Sequence, residues 1–270
     1  MEIYRYAIAG GVFFILLILE TFFPLFKGWK NRARHIGRNF SIVVVNNLVF
    51  FALLSFATAF IFRAVEQNQF GIFNFSSLPV VLRIALIVIV FDLWMYFWHR
   101  WVHTSAFLWR FHRMHHSDPN MDASTALRFH PGEIVFSTIL RWGVFLILGM
   151  TAYDLLIYET IMLPVIFFHH SNFFLPEKLD KILRQFIVTP WMHWVHHSHI
   201  FEETNSNYGT IFSWWDRLFS SFRLRRDPEK IRYGLDEIKL HYWQSVIGML
   251  KTPFVNRFEQ KQVSNDEYKY

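Results

Sequence analysis

The 270-residue sequence contains no cysteine. That excludes disulfides, thiolate nucleophiles, cysteine-ligated zinc and iron–sulfur clusters, so any metal chemistry in this chain is histidine chemistry. Charge is scarce as well. Charged residues make up 18%, against 53% hydrophobic and 20% aromatic, far too apolar a balance for an ordinary soluble domain. No internal repeat or low-complexity tract is present. The formal charge of +6 fits basic loops lying against anionic head groups. No nucleic-acid partner is expected.

Long apolar runs are abundant. A helix crossing the hydrocarbon layer needs roughly 20 mostly apolar residues, and such runs fall at Ala7–Phe26, Phe40–Phe62, Leu78–Trp98, Ile134–Gly149 and Tyr153–Phe168. The first lacks the basic start and small-residue cleavage site of a signal peptide and reads as a retained anchor. The last two are short and read as a hairpin, turned at Gly149 and Thr151, that only partly crosses the bilayer. The expected fold is all-α, a polytopic membrane helical bundle of four to five spans. Lys27, Lys30, Arg32, Arg34 and Arg38 crowd the first connection, whereas the second, from Arg63 to Ser77, has one Arg and one Glu. By the positive-inside rule the first connection is cytoplasmic. Alternate threading puts residues 99–131 and everything after His170 on that side too. The expected layout is one membrane domain over 1–258. It comprises three spans to residue 98, a His-rich cytosolic segment 99–133, the hairpin 134–170 and a helical cytosolic cap 171–258, followed by a disordered tail 259–270.

The 14 histidines are clustered. His99 and His103 form H-x-x-x-H; His112, His115 and His116 form H-x-x-H-H; His193, His196 and His197 repeat H-x-x-H-H. Residues three and four apart share one helix face, so each group aims two or three imidazoles at one point. A lone interfacial histidine is usually structural, but eight at these spacings point to metal. His169 and His170 end the hairpin at the same level, His170 being the better candidate ligand. Some ten imidazoles exceed the four to six that one metal takes, which implies two metals. His35, His199 and His241 read as surface or supporting residues. Glu20, Asn46, Asn47, Asp92, Arg141 and Glu159 lie within apolar runs, where polar groups are costly and face the bundle interior. Asp92, two turns before His99, is placed to accept the N–H of a ligand imidazole or to serve a buried structural hydrogen bond. The aromatic stretches Phe91–Trp101 and Trp191–Trp215 are candidates to line a lipid channel, although interfacial aromatic belts are ordinary.

From Asp92 to Phe222 the sequence resembles the fatty acid hydroxylase/sterol desaturase superfamily of membrane di-iron enzymes. The resemblance rests on D-L-W-M-Y-F-W-H-R-W-V-H, F-H-R-M-H-H, T-A-L-R-F-H-P-G-E, H-H-S-N, P-W-M-H-W-V-H-H and N-Y-G-T-I-F-S-W-W-D-R-L-F, in that order. It implies two iron ions and dioxygen as co-substrate, acting on an acyl, alkyl or sterol chain drawn from the bilayer. By motif the ligands would be His99, His103, His112, His115, His116, His193, His196 and His197, with His170 where relatives also keep a histidine. Arg128, His130 and Glu133 match a segment taken as supporting the ligands, and His169 joins them. Asn207, Trp215 and Asp216 match a segment that closes the cap. Unlike several relatives, the sequence carries no fused cytochrome domain, so electrons are expected from a separate donor of cytochrome or ferredoxin/reductase type. His130–Glu133, H-P-G-E, is only a faint echo of a haem-binding loop in an apolar setting.

Ligand type alone does not name the metal, since imidazole suits iron, zinc and copper. A zinc-dependent lipid hydrolase would use fewer ligands and a general base, and no H-E-x-x-H motif occurs. A metal transporter would spread its ligands through the membrane. Hydroxylation comes first among the oxidative outcomes, ahead of desaturation and ether cleavage. The expected setting is an integral membrane protein with its site on the cytoplasmic side, in a bacterial cytoplasmic membrane rather than endoplasmic reticulum.

Overall fold

The computed structural model describes residues 2–27, 31–75, 78–238 and 241–255. Lys30, Ser77 and the tail 259–270 lie outside the described residues. Five helices are long and apolar enough to cross a membrane: α1 (Glu2–Phe22), α2 (Arg32–Leu53), then, after a short α3 (Ser55–Asn68), α4 (Val80–Thr104), and, after α5 (Ala106–His116), α6 (Pro131–Leu148) and α7 (Ala152–His170). The bundle is polytopic and the protein is an integral membrane protein. Its outer faces carry large apolar side chains, with Phe51 78% and Val81 81% exposed, which only a lipid solvent tolerates at this density. Short helices α8 (Glu177–Leu183), α9 (Pro190–His196), α10 (Phe201–Thr204), α11 (Trp214–Leu218) and α12 (Val246–Lys251) build the cap, and no β-strand occurs among the described residues.

Two boundaries differ from the sequence-based expectation. The second span begins at Arg32 and breaks at Leu54, where φ −120° and ψ −24° leave the helical pattern, instead of running from Phe40 to Phe62. Arg32, His35 and Asn39 therefore sit on the first turns of a helix and not in a loop. The reason is tertiary. This i, i+3, i+7 stripe faces a polar strip: Arg32 pairs with Glu20, His35 Nε2 lies 2.8 Å from Asp118, and Asn39 donates to Ser124 at 2.9 Å. A hydropathy pattern cannot register such partners. Polar groups in the spans split likewise. Glu20 is buried and accepts from the backbone N–H groups of Ala123 and Asn172, and Asn46 reaches the Phe129 carbonyl, but Asn47 faces outward and bonds back to Val43 of its own helix.

The hairpin is also longer than expected. Pro131 opens α6 while the His130 side chain caps it, accepting from the Gly132 N–H at 2.9 Å. A Thr151–Asp154 capping box opens α7. At 18 and 19 residues, and 1.5 Å rise per residue, each spans roughly 27–28 Å, enough to cross. Gly149, at φ 76°, ends α6. A Cβ there would lie 2.5 Å from the Phe70 carbonyl oxygen, so only glycine lets the 70–74 turn seat against the hairpin. Arg83 locks the same end, donating at 2.8 Å to both Asp154 oxygens and at 3.1 Å to the Gly149 carbonyl.

The opposite end of the bundle carries the histidines. Only Ser105 separates α4 from α5, so His99 and His103 at the end of α4 are brought directly beside His112, His115 and His116. α7 delivers His169 and His170, and α9 lies against α7 to bring His193, His196 and His197 to the same level.

Candidate metal centre

The nine histidines expected as ligands converge in two groups. One gathers His99, His103, His112, His116 and His196; the other gathers His115, His170, His193 and His197; within each, one nitrogen per ring lies within 4.8 Å of the rest. All but His99 are buried. Several rings are held from behind so that one nitrogen faces inward. His99 Nδ1 donates to the Tyr208 carbonyl at 2.9 Å, His196 Nδ1 to the Ser206 carbonyl at 2.7 Å, His170 Nδ1 to the Ile166 carbonyl at 2.8 Å and His112 Nδ1 to Glu133 Oε1 at 2.9 Å. Each bond places the proton on Nδ1 and leaves the Nε2 lone pair free, the arrangement that orients imidazole ligands in metal sites.

The inward nitrogens fit a cation and little else. In the second group His170 Nε2 lies 3.1 Å from His115 Nε2 and 3.0 Å from His193 Nε2, and His193 Nε2 lies 3.1 Å from His197 Nε2. One lone pair on His170 cannot accept from two neighbours. Nitrogens about 2.1 Å from a shared metal would be about 3.0 Å apart at right angles and about 3.4 Å apart at the tetrahedral angle. In the first group His112 Nε2, His196 Nε2 and both ring nitrogens of His103 and His116 are buried without a hydrogen-bond partner, a density of orphaned polar atoms that calls for an ion. Burial, reinforced by neighbouring imidazoles, pushes His115, His116, His193 and His197 well below the usual histidine range and His196 down to about 3. Neutral imidazole is the ligand-competent form. Phe129 stacks flat on His115 with centroids 4.5 Å apart.

A cavity of about 270 Å³ runs from this cluster into the bundle. Its mouth at the cluster includes His112, His115 and His193; its walls come from α4, α6 and α7, through Met95, Trp98, Ile134, Met162 and Ile166. Of the aromatic stretches expected to line a channel, Trp98 does so. The tryptophans of the second stretch donate elsewhere, Trp191 to the Leu175 carbonyl, Trp194 to the Ser171 carbonyl, Trp214 to the Gln185 carbonyl and Trp215 to Asp92.

The model of the fatty acid hydroxylase family matches residues 84–221, which contain all but the first turn of α4, both histidine groups and the loop that closes over them. The chain belongs to the fatty acid hydroxylase family. Among curated relatives it is 24% identical to an ornithine lipid hydroxylase of Rhizobium tropici, over 82% of this chain and 67% of the relative. It is 28% identical to the alkylglycerol monooxygenase of Danio rerio, over 87% of this chain, and 20% identical to a Delta(7)-sterol 5(6)-desaturase of Candida dubliniensis, over 86% of this chain and 59% of the relative. The chain spans about half, 51%, of the length of that alkylglycerol monooxygenase. No solved structure matches it.

Within this family member the supporting residues take distinct places. Glu133 holds the His112 ring, as described. Asp92 does not: its Oδ1 accepts from Tyr158 Oη at 3.0 Å and Ile211 N at 3.1 Å, and its Oδ2 from Phe212 N at 3.1 Å and Trp215 Nε1 at 2.9 Å. Four donors saturate the carboxylate, so Asp92 ties α4 to α7 and to the loop 207–215 and leaves no lone pair for an imidazole. Arg128 also acts at one remove, donating to the Met114 carbonyl at 3.0 Å, Ser117 Oγ at 2.8 Å and Gln244 Oε1 at 2.7 Å, which fixes the end of α5. His130 caps α6 and bonds the Leu250 carbonyl at 3.1 Å, away from both groups. His169 packs its ring 4.1 Å from that of His193 and lines the cavity. Asn207, at φ 52°, bridges the Met192 and Arg223 carbonyls, and Asp216 accepts from Tyr208 N at 2.7 Å, Gly209 N at 3.0 Å and Ser221 Oγ at 2.8 Å. Asp216 thereby positions the Tyr208 carbonyl that holds His99. Tyr208, Ser206 and Ile166 escape sequence reasoning because they act through backbone carbonyls. Phe129 was discoverable as the neighbour of His130 in the motif T-A-L-R-F-H-P-G-E.

Proposed function

We propose that this chain is a membrane-bound di-iron monooxygenase that inserts oxygen into a C–H bond of a lipid alkyl or acyl chain. The supporting observation is the junction of two groups of converging, orphaned imidazole nitrogens with a cavity walled by membrane spans. The relatives named above are hydroxylases, monooxygenases and a desaturase of lipids, which favours the same chemistry. His99, His103, His112, His116 and His196 would hold one iron, and His115, His170, His193 and His197 the other. Bound there, two irons supply the electrons and oxidising power to activate dioxygen, which side chains alone do not offer.

The chain's own contribution is position and dryness. Glu133 and the three backbone carbonyls keep the imidazoles aimed. Phe129, Trp98 and the aliphatic walls keep water from the reacting carbon. Glu133 Oε2 is buried without a partner at the cavity wall, and is the atom placed to take or return a proton. The site faces the cytoplasm by loop charge, where a separate cytochrome or ferredoxin-type donor would deliver electrons; a bacterial cytoplasmic membrane is the favoured setting.

The test supplies anaerobically iron-loaded protein with a reductase system, labelled dioxygen and a membrane lipid extract. A product carrying one labelled oxygen supports monooxygenation. An unlabelled product lacking two hydrogens would replace it with desaturation, and cleavage that proceeds without dioxygen would replace it with hydrolysis.

A further inference from the structure

The cavity has a polar far end that the histidine chemistry does not use. Arg141 lines it from the middle of α6, on the same face as Ile134 and Ser137. Among the described residues it makes no ion pair, and its one hydrogen bond runs from Nε to the Ser137 carbonyl at 3.3 Å. Its terminal guanidinium nitrogens are left with no protein acceptor. Glu159 on α7, the acid acting on it across the bundle, is already paired with Arg5 of α1. Glu133, the other acid on the cavity wall, is held against His112 at the cluster end, so at its own end of the cavity Arg141 has no paired carboxylate, inside a helix bundle where a cation without one is expensive and marks a functional position. An oxyanion brought by a ligand would supply the partner that the guanidinium lacks.

We propose that Arg141 is a specificity-determining residue that binds the oxyanion of the lipid substrate, a carboxylate or phosphate at one end of its chain, and so sets which carbon reaches the histidine cluster. The inference rests on the monooxygenase reading for the word substrate, but the binding itself needs neither metal nor turnover. A guanidinium offers paired donors matched to an oxyanion, and such charge-assisted bonds gain strength in low dielectric. The geometry also fixes a ruler. Arg141 lies eight residues beyond Glu133, whose carboxylate holds His112, so the two backbone positions are about 12 Å apart along α6, and because the Arg141 side chain runs back toward Ser137 this is the upper bound on the distance from the anion to the cluster, a medium-length alkyl chain.

The experiment measures binding of 11-bromoundecanoate and 11-bromoundecan-1-ol to the full-length protein in detergent. The readout is bromine quenching of the Trp98 fluorescence component, defined by subtracting Trp98→Phe. Trp98 sits at the cluster end, so a chain with its anion on Arg141 carries the bromine to it. The acid is expected to bind at least tenfold more tightly than the alcohol. Arg141→Met should abolish that preference while leaving the alcohol unchanged, and Arg141→Lys should keep it at reduced affinity. Competition by undecanoate, by dodecyl phosphate or by both tells which oxyanion is taken, and competition by neither overturns the proposal. Equal binding of acid and alcohol to the unaltered protein also overturns it, so the test stands even where Arg141→Met does not fold. Retained Arg141-dependent binding without any oxygenated product would sink the monooxygenase reading alone.

Discussion

Replacing Asp92 by Asn separates two roles for a buried carboxylate beside a metal centre. Asp92 is fully buried and each of its oxygens accepts two hydrogen bonds. Asn keeps one oxygen and presents an NH2 in place of the other, so two of the four donors face a donor. At about 1–3 kcal/mol per buried unsatisfied group the loss is about 2–6 kcal/mol. With roughly 2–4 °C per kcal/mol for a domain of this size, the midpoint of thermal unfolding should fall by about 4–24 °C. Tyr158→Phe deletes one donor and leaves three, so its cost should be about 1 kcal/mol. The assay is thermal unfolding of both variants in one detergent, with metal content measured at low temperature. The reasoning holds if Asp92→Asn unfolds well below Tyr158→Phe yet binds metal normally when cold. A variant that unfolds like the unaltered protein but has lost metal would refute it, and would return Asp92 to the role of holding a ligand ring.

Glu133→Ala removes the acceptor of His112 Nδ1 and should weaken metal binding about 10–100-fold, measured by chelator competition; Glu133→Gln, which keeps an oxygen acceptor, should lose less. Asp216→Asn disturbs the bonds to Tyr208 N, Gly209 N and Ser221, so it should raise hydrogen exchange across 207–216 and loosen metal retention, while an unchanged exchange pattern would speak against its part in placing the Tyr208 carbonyl. Acid should destabilise the metal-free protein. His196 is pushed down to about 3 by burial, so between about pH 6.5 and 3 the unfolded chain binds the extra proton; stability is then full above about 6.5 and declines as pH falls. A flat denaturation midpoint from pH 7 to 5 would contradict this.

The convergence of the histidines was legible because their pattern is local. H-x-x-x-H and H-x-x-H-H place rings on one helix face whatever the rest of the chain does, and the apolar runs announced the spans for the same reason. What escaped was decided by distant partners. The early start of α2 depends on Glu20, Asp118 and Ser124 meeting Arg32, His35 and Asn39, and no window over residues 32–39 contains those groups. For Asp92 the sequence left open a ligand imidazole or a buried structural hydrogen bond; the second holds, because the donors that saturate it come from residues 158–215, which its helical phase with His99 cannot show. Arg128 and His130 lie in a motif beside the clustered histidines, yet they serve helix ends. The partition of the histidines into a group of five and a group of four mixes residues from different motifs in each group, so the spacing within a motif does not reveal it.

That partition is the central claim and is open to a direct count. Metal per chain, measured after anaerobic iron loading, should be about two for the unaltered protein. His115→Ala and His196→Ala, one from each group, should each hold about one and lose different ions, distinguishable by their spectra. Unchanged metal in both variants, or a single ion per chain lost by both together, would contradict two histidine-built sites.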